Sequence, residues 1–173
     1  AFSGLCLILV LLDTFHLPLT SRFFSVPGTY APFQWNNPVM YFRLFSHSMG
    51  HAHWDHLLGN MTFLLLLGPM LEEKYGSRSL LIMMMITAGT TGILNMLLFP
   101  TGLLGASGIV FSFILLSSFA NMRSGGIPLS FVIVTIFFLG KEVVSIFEHN
   151  QVSEFAHLCG GTLGAIFGFT KSS

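Results

Sequence analysis

Long apolar runs separated by short polar stretches dominate the sequence. Six runs stand out, with approximate boundaries at Phe2–Leu19, His56–Leu71, Leu80–Phe99, Gly105–Ala120, Ile127–Phe147 and Glu154–Phe169. An upright helix needs about 20 apolar residues to cross a bilayer, and several of these runs are shorter. We therefore predict a single all-α polytopic membrane domain over residues 1–173, a six-helix bundle in which some helices end below the membrane surface.

The loop between the first two runs, about Pro18 to Asp55, is too long to be a plain connection. It is rich in Phe, Trp, Tyr, Pro and His, and aromatic rings favour the headgroup region of a bilayer. We expect an interfacial hairpin there. The apolar stretch Pro100–Leu104 is expected to dip into the protein, because irregular backbone at membrane depth is tolerated only within protein or beside a cavity.

Basic residues near the ends of the runs predict the orientation. Four of them fall in loops that alternate onto one side, at Lys74, Arg78, Arg123 and Lys171, and the long first loop carries Arg22 and Arg43. We assign the side with four basic residues to the cytoplasm. The long first loop then lies on the extracytoplasmic side.

Composition supports the membrane assignment. Hydrophobic residues make up 53% of the chain and charged residues 8%, about a third of the usual charged share, and the mean hydropathy is +0.77. The formal net charge is zero, so there is no basic surface to predict nucleic-acid binding. Cys6 and Cys159 indicate no disulfide framework. The chain opens in an apolar segment without a basic leader, which predicts no signal peptide, and both ends look trimmed.

Three polar residues on three predicted helices lie at one depth. At 1.5 Å per residue, Ser107 lies about 24 Å above Arg123, and His157 and Asn60 each lie about 21 Å above the next lysine along the chain. His56 is one turn above Asn60 on the same face. With a hydrocarbon core of about 30 Å, this level is several Å below the outer surface.

A serine, a histidine and an asparagine at one level match the parts of an acyl-transfer site. Imidazole can take the serine proton near neutral pH, and the serine can attack a carbonyl. Asn60, the Ser107 backbone N–H and His56 could donate to the developing oxyanion. Separate helix–helix hydrogen bonds would also explain these polar residues at membrane depth.

Small residues predict how the serine and histidine helices meet. The last run has Gly160, Gly164 and Gly168 at four-residue intervals, and the fourth run offers Gly108 and Ser112 at the same spacing. Small residues at this spacing allow close helix contact. If these surfaces meet, His157 lies near Ser107, and Phe111 is placed to pack against its imidazole.

Several motifs resemble those of the rhomboid family of intramembrane serine proteases. Gly105-Ala106-Ser107-Gly108 resembles the family's nucleophile motif, and Ala156-His157 followed by Gly160 and Gly164 resembles its sixth-helix motif. The remaining matches are His56 with Asn60, Phe42-Arg43 with His47, and the turn Glu72 to Ser77. Phe42 and Phe111 stand where the family often has Trp and Tyr.

The resemblance implies a six-helix bundle with a recessed, water-accessible Ser107–His157 dyad. It implies cleavage of transmembrane substrates near the outer membrane face, without metal or cofactor. Asn60 and His56 would stabilise the oxyanion, and Gly105 would leave room for the substrate. Arg43 and His47 would support the first-loop hairpin. We expect a multi-pass protein of a bacterial plasma membrane whose site opens to the extracytoplasmic side. The oligomeric state is not predicted.

Other interpretations remain open. Lys141 is an alternative base, because Ser–Lys pairs also catalyse acyl transfer. His47, His51, His53 and His56 have spacings compatible with zinc, although no His-Glu-x-x-His is present and hydrogen bonding within the hairpin explains them better. A catalytically inactive rhomboid-like protein that binds and escorts membrane helices is the main alternative function. A transporter is disfavoured by the lack of paired-half symmetry. The loop Glu148–Ser153 with the fifth run is the expected gate.

Overall fold

The computed structural model describes residues 1–15, 17, 19–31, 33–119, 129, 132–133, 136 and 151–172. The described part is mostly helical, as the hydrophobic pattern predicts. Its helices are α1 (Phe2–Thr14), α2 (Leu19–Phe23), α3 (Pro38–Ser46), α4 (Trp54–Tyr75), α5 (Ser77–Leu98), α6 (Ser107–Ser117) and α7 (Gln151–Ser172). A 3₁₀ turn, His47–Met49, follows α3 directly.

Helix α6 lies at the centre and packs against α4, α5 and α7. Most of its side chains are buried, including Ile109, Val110 and Phe113. With α1, α4 and α5 it forms the main apolar core, which includes Cys6, Leu57, Met83 and Leu116. The helix that begins at Ser107 is therefore held on several sides.

Backbone contact between α6 and α7 is possible only because glycines line the contact. A Cβ built on Gly160 would run into the backbone of Gly108, and one on Gly164 would run into that of Ser112. Lower down, the Phe119 ring lies against Gly168. The predicted small-residue contact between the fourth and sixth runs is present in this structure.

The long first loop contains two helices and a 3₁₀ turn. Asn37 caps α3 by accepting a hydrogen bond from the Val39 N–H at 3.0 Å, and Pro38 at the first helical position needs no hydrogen-bond partner. The loop then joins the segment before α6 through an isolated antiparallel bridge between Val26 and Leu103. Leu103 is buried, whereas Pro100, Thr101 and Gly102 are exposed. The stretch that we expected to dip into the protein does so only at its C-terminal end.

The first predicted run is wrong at its C-terminal end. We predicted an apolar segment to Leu19, but α1 ends at Thr14 and α2 begins at Leu19. The Asp13 carboxylate accepts hydrogen bonds from the N–H groups of Leu19 and Thr20, at 2.8 and 3.2 Å. This side-chain cap starts the new helix within the predicted run.

The other boundaries move by a few residues. The second and sixth runs extend in the structure to Trp54–Tyr75 and Gln151–Ser172, and the fourth shortens to Ser107–Ser117. The third begins three residues earlier and ends one residue earlier, at Ser77–Leu98. Among the described helices, α5 alone is both long and apolar enough to cross a bilayer by length and composition. The fifth run lies almost entirely outside the described residues, so the six-helix count remains a prediction.

Candidate active site

Ser107 is the first residue of α6 and is partly buried. The N–H groups in the first turn of a helix have no intrahelical partner, and the helix dipole adds positive potential there. An oxygen that gains negative charge beside Ser107 would therefore be stabilised by the first turn of α6.

The backbone before Ser107 is fixed by the first loop. Gly105 has a φ of +122°, which strongly favours glycine. Its N–H donates to the carbonyl oxygen of His47 at 2.9 Å. The entry into α6 is thus attached to the 3₁₀ turn that follows α3.

The missing side chain of Gly105 makes room for His56. A Cβ at Gly105 would lie 2.7 Å from Cε1 and Nε2 of the His56 ring. We expected this glycine to leave space for a substrate. In this structure the imidazole of α4 lies where a Cβ would stand, so the glycine brings His56 next to the residues that precede Ser107. The expected room for a substrate stays a prediction.

His157 lies on α7 against the same part of α6. Its ring stacks on Phe111, with ring centroids 4.2 Å apart and an angle of 27° between the planes. The carbonyl oxygen of Ala156 is 3.2 Å from a Cβ built on Gly108. Ser107 is adjacent to Gly108 and one turn before Phe111. The structure thus places the neighbours of the two candidate dyad residues in contact between α6 and α7.

Asn60 is buried one turn below His56 on α4, with 7% of its surface exposed. Its Nδ2 donates to the carbonyl oxygen of His56 at 3.0 Å. An amide nitrogen has two hydrogens, so one more donation is available. The His56 ring also meets the His51 ring edge-on, with centroids 5.0 Å apart.

His47 holds the first loop against α5. Only 2% of its surface is exposed, and its Nε2 donates to the Ala88 carbonyl oxygen at 3.0 Å. Burial lowers its pKa to about 4, and the hydrogen bond to Ala88 opposes this only in part. The ring is therefore neutral at physiological pH.

His51 has a similar environment beside the site. Burial lowers its pKa to about 4, repulsion from His56 lowers it further, and the hydrogen bond from its Nδ1 to the Met49 carbonyl oxygen acts in the opposite direction. The 3₁₀ turn and the loop after it are therefore held by two buried imidazoles, His47 and His51, which form these contacts in their neutral state.

Arg43 ties α3 to the end of α2. Its Nε donates to the Ser25 carbonyl oxygen, and one Nη nitrogen donates to Ser25 Oγ at 3.1 Å and to the Ser21 carbonyl oxygen at 3.4 Å. The planar guanidinium provides these diverging donors at once. Arg43 thus contacts another part of the same loop, whereas His47 contacts α5.

In the described part of the chain, the side chains of the histidine-rich loop are not arranged as ligands of one metal ion. The rings of His51 and His53 each pack against His56, with centroids 5.0 and 5.9 Å away. The described residues contain no group of three or more His, Cys, Asp or Glu side chains suited to one ion. His53 instead caps α4 by accepting from the His56 N–H at 3.2 Å.

Two predicted features lie partly or fully outside the described residues. Lys141, the alternative base, is one of them. The expected gate, Glu148–Ser153, is the other, and only Gln151–Ser153 are described, as the first turn of α7.

Ser112 is a residue whose contacts the sequence pattern did not reveal. Its Oγ donates to the Gly160 carbonyl oxygen at 2.6 Å and lies 3.2 Å from Thr87 Oγ1. The hydroxyl therefore links α5, α6 and α7 one turn below Ser107. The four-residue spacing from Gly108 predicted that Ser112 lies on the small-residue face of its helix. Nothing in the sequence predicted that Thr87 would lie opposite Ser112.

Comparison with known proteins identifies the family. A model of the rhomboid domain matches residues 38–173, which is more than half of the chain. The chain therefore belongs to the rhomboid family, as its motifs predicted. Members of this family are integral membrane proteins, and the family includes serine proteases.

Individual relatives come from a plant and a bacterium. The chain is 26% identical over 161 residues to Rhomboid-like protein 11, chloroplastic, of Arabidopsis thaliana, covering 92% of this chain and 54% of that protein. It is 24% identical over 133 residues to Rhomboid protease GlpG of Haemophilus influenzae, covering 75% and 69%. It is 32% identical over 137 residues to RHOMBOID-like protein 1 of Arabidopsis thaliana, covering 73% of this chain and 33% of that protein. The chain thus spans about half and a third of the two plant relatives.

Proposed function

We propose that the chain is an intramembrane serine endopeptidase that cleaves transmembrane segments of membrane proteins. Ser107 is the nucleophile and His157 is the general base. The observation that carries the proposal is the close contact of α6 and α7. Gly108 meets Ala156 there, and Phe111 stacks on His157 at 4.2 Å.

The proposed reaction assigns a role to each of these residues. Ser107 Oγ attacks the scissile carbonyl carbon while His157 takes the hydroxyl proton. The oxyanion accepts hydrogen bonds from the first-turn N–H groups of α6, the remaining Nδ2 hydrogen of Asn60 and His56. The C–N bond then breaks, and His157 returns the proton to the leaving amine. Water hydrolyses the acyl-enzyme by the same steps in reverse order, which restores Ser107.

The supporting residues hold this arrangement in place. Phe111 fixes the imidazole plane, and Gly160 and Gly164 let α7 approach α6. Arg43 and His47 hold the first loop, and His47 in turn holds Gly105 through its carbonyl oxygen. In this proposal the chain needs no metal or cofactor, because the proton transfers use side chains alone.

The setting is a bilayer, with residues 1–173 forming one six-helix domain. The site opens toward the extracytoplasmic side, and the substrates are membrane proteins whose helices enter from the bilayer. The expected bacterial plasma membrane is not supported, since Rhomboid-like protein 11 is chloroplastic and comes from a plant. The proposal therefore keeps this orientation in an integral membrane location but names no particular membrane.

Labelling with a fluorescent fluorophosphonate tests the nucleophile. We expect the purified protein in detergent to be labelled and Ser107→Ala to lose the label. Ser117→Ala is the matched control, because Ser117 lies on the same helix and its hydroxyl only donates to the Ile114 carbonyl oxygen. Equal labelling of the protein and Ser107→Ala would exclude Ser107.

Cleavage of a transmembrane model substrate in proteoliposomes separates the remaining options. His157→Ala should abolish cleavage and Lys141→Ala should retain it. The opposite pattern would make Lys141 the base. A protein that binds the substrate helix but shows neither labelling nor cleavage would be the inactive escort protein.

A further inference from the structure

Glu154 is the only acidic side chain that is buried among the described residues. It lies in the first turn of α7 with 5% of its surface exposed. None of the described residues donates a hydrogen bond to its Oε2. Burying a carboxylate without a partner is costly. The position therefore calls for a reason beyond packing.

Glu154 precedes His157 by three residues on one continuous helix. Side chains at this spacing are neighbours, with Cβ atoms about 5–6 Å apart. Phe111 already covers one face of the His157 ring. Glu154 lies about one helical turn from His157, on the side toward the start of α7.

Among the residues that the structure describes, few other charged side chains lie on the helices packed against this end of α7. The described parts of α5 and α6 that pack against it contain no Asp, Glu, Lys, Arg or His except Arg78, which is at the opposite end of α5. On α4, the titratable groups at this level are the partly buried His56 and the exposed Asp55. Glu154 is thus the buried acidic side chain nearest to His157 among the described groups.

We propose that Glu154 is a positioning residue that stabilises the imidazolium of His157 during catalysis. When Ser107 attacks, its proton moves to His157, and a positive charge forms in a site of low dielectric. An anion one turn away favours that charged form. Glu154 acts on the imidazole and not on the substrate, as the carboxylate of a serine-protease triad does. This inference rests on the proposed function.

The test measures the rate constant of fluorophosphonate labelling between pH 5 and pH 9. Glu154→Gln keeps the shape and removes the charge. We expect labelling at pH 7.5 to fall about ten-fold, and the acidic limb of the profile to move about one unit to lower pH. Glu154→Asp should restore part of the rate. Glu73→Gln is the control, because it removes an exposed acid at the far end of α4 and should behave as the unmodified protein.

Two outcomes would overturn the inference, and they are distinguishable. If Glu154→Gln keeps the original pH profile but unfolds at a lower temperature, Glu154 serves only structure, for example by favourable interaction with the helix dipole. If the unmodified protein is not labelled at Ser107, the proposed function fails together with the role of Glu154.

Discussion

Gly105 shows how a single missing side chain organises the site. Its φ of +122° opposes a larger residue, and so does the His56 ring, which lies 2.7 Å from where a Cβ would stand. We predict that Gly105→Ala lowers the stability by about 1–3 kcal/mol and reduces labelling of Ser107. Thermal unfolding in detergent and fluorophosphonate labelling measure the two effects.

Gly59→Ala is the matched control for this substitution. Gly59 lies beside Asn60 on α4, and nothing is within 4 Å of a Cβ there. Alanine favours a helix over glycine by about 1 kcal/mol, so this variant should be at least as stable as the original. If Gly105→Ala is as stable and as reactive as Gly59→Ala, the tight contact with His56 is unimportant.

The buried histidines predict a pH dependence of stability. Burial lowers the pKa of His47 and of His51 to about 4, whereas the unfolded chain titrates near 6.5. Between these values the unfolded state binds more protons, so stability is complete above about pH 6.5 and falls as the pH approaches 4. For His47 the loss should be on the order of 2–3 kcal/mol.

Thermal unfolding in detergent from pH 7.5 to pH 4 measures this loss. His47→Gln should be less stable at pH 7.5, because it loses the packing of the ring and its hydrogen bond to Ala88. It should nevertheless show a shallower dependence on pH, since one titrating group is gone. A slope equal to that of the original protein would contradict the assignment.

At the scale of elements, the α6–α7 pair carries the candidate dyad. A Cβ at Gly160 would run into the backbone of Gly108, which cannot move as a side chain would. We predict that Gly160→Ala separates the helices, costs about 1–3 kcal/mol and lowers labelling of Ser107. Thermal unfolding and labelling again give the two readouts.

Thr162→Ala is the control on the same helix, because Thr162 is exposed and its hydroxyl bonds only the Leu158 carbonyl oxygen. It should keep both stability and labelling. Gly160→Ala with full labelling would mean that the distance between the helices does not limit the reaction.

The same pair of helices shows what the sequence could predict. The spacing of Gly160, Gly164 and Ser112 is local, so the meeting of α6 and α7 followed from it. The cap by Asp13 lies at a turn of the chain between two helices. The hydrogen bond from Gly105 to His47 joins segments that are distant in sequence. Such contacts depend on the assembled fold, and the periodic pattern of apolar residues does not predict them.

At the scale of the whole molecule, the proposed topology places the first loop and the α4–α5 turn on opposite sides of the membrane. Asn36 and Glu73 are exposed in these two segments. In a background with Cys6→Ala and Cys159→Ala, we predict that Asn36→Cys reacts with a membrane-impermeant maleimide on intact cells. Glu73→Cys should react only after permeabilisation, because α4 must then cross the bilayer. Reaction of both on intact cells would exclude the crossing, and with it a site recessed between membrane helices.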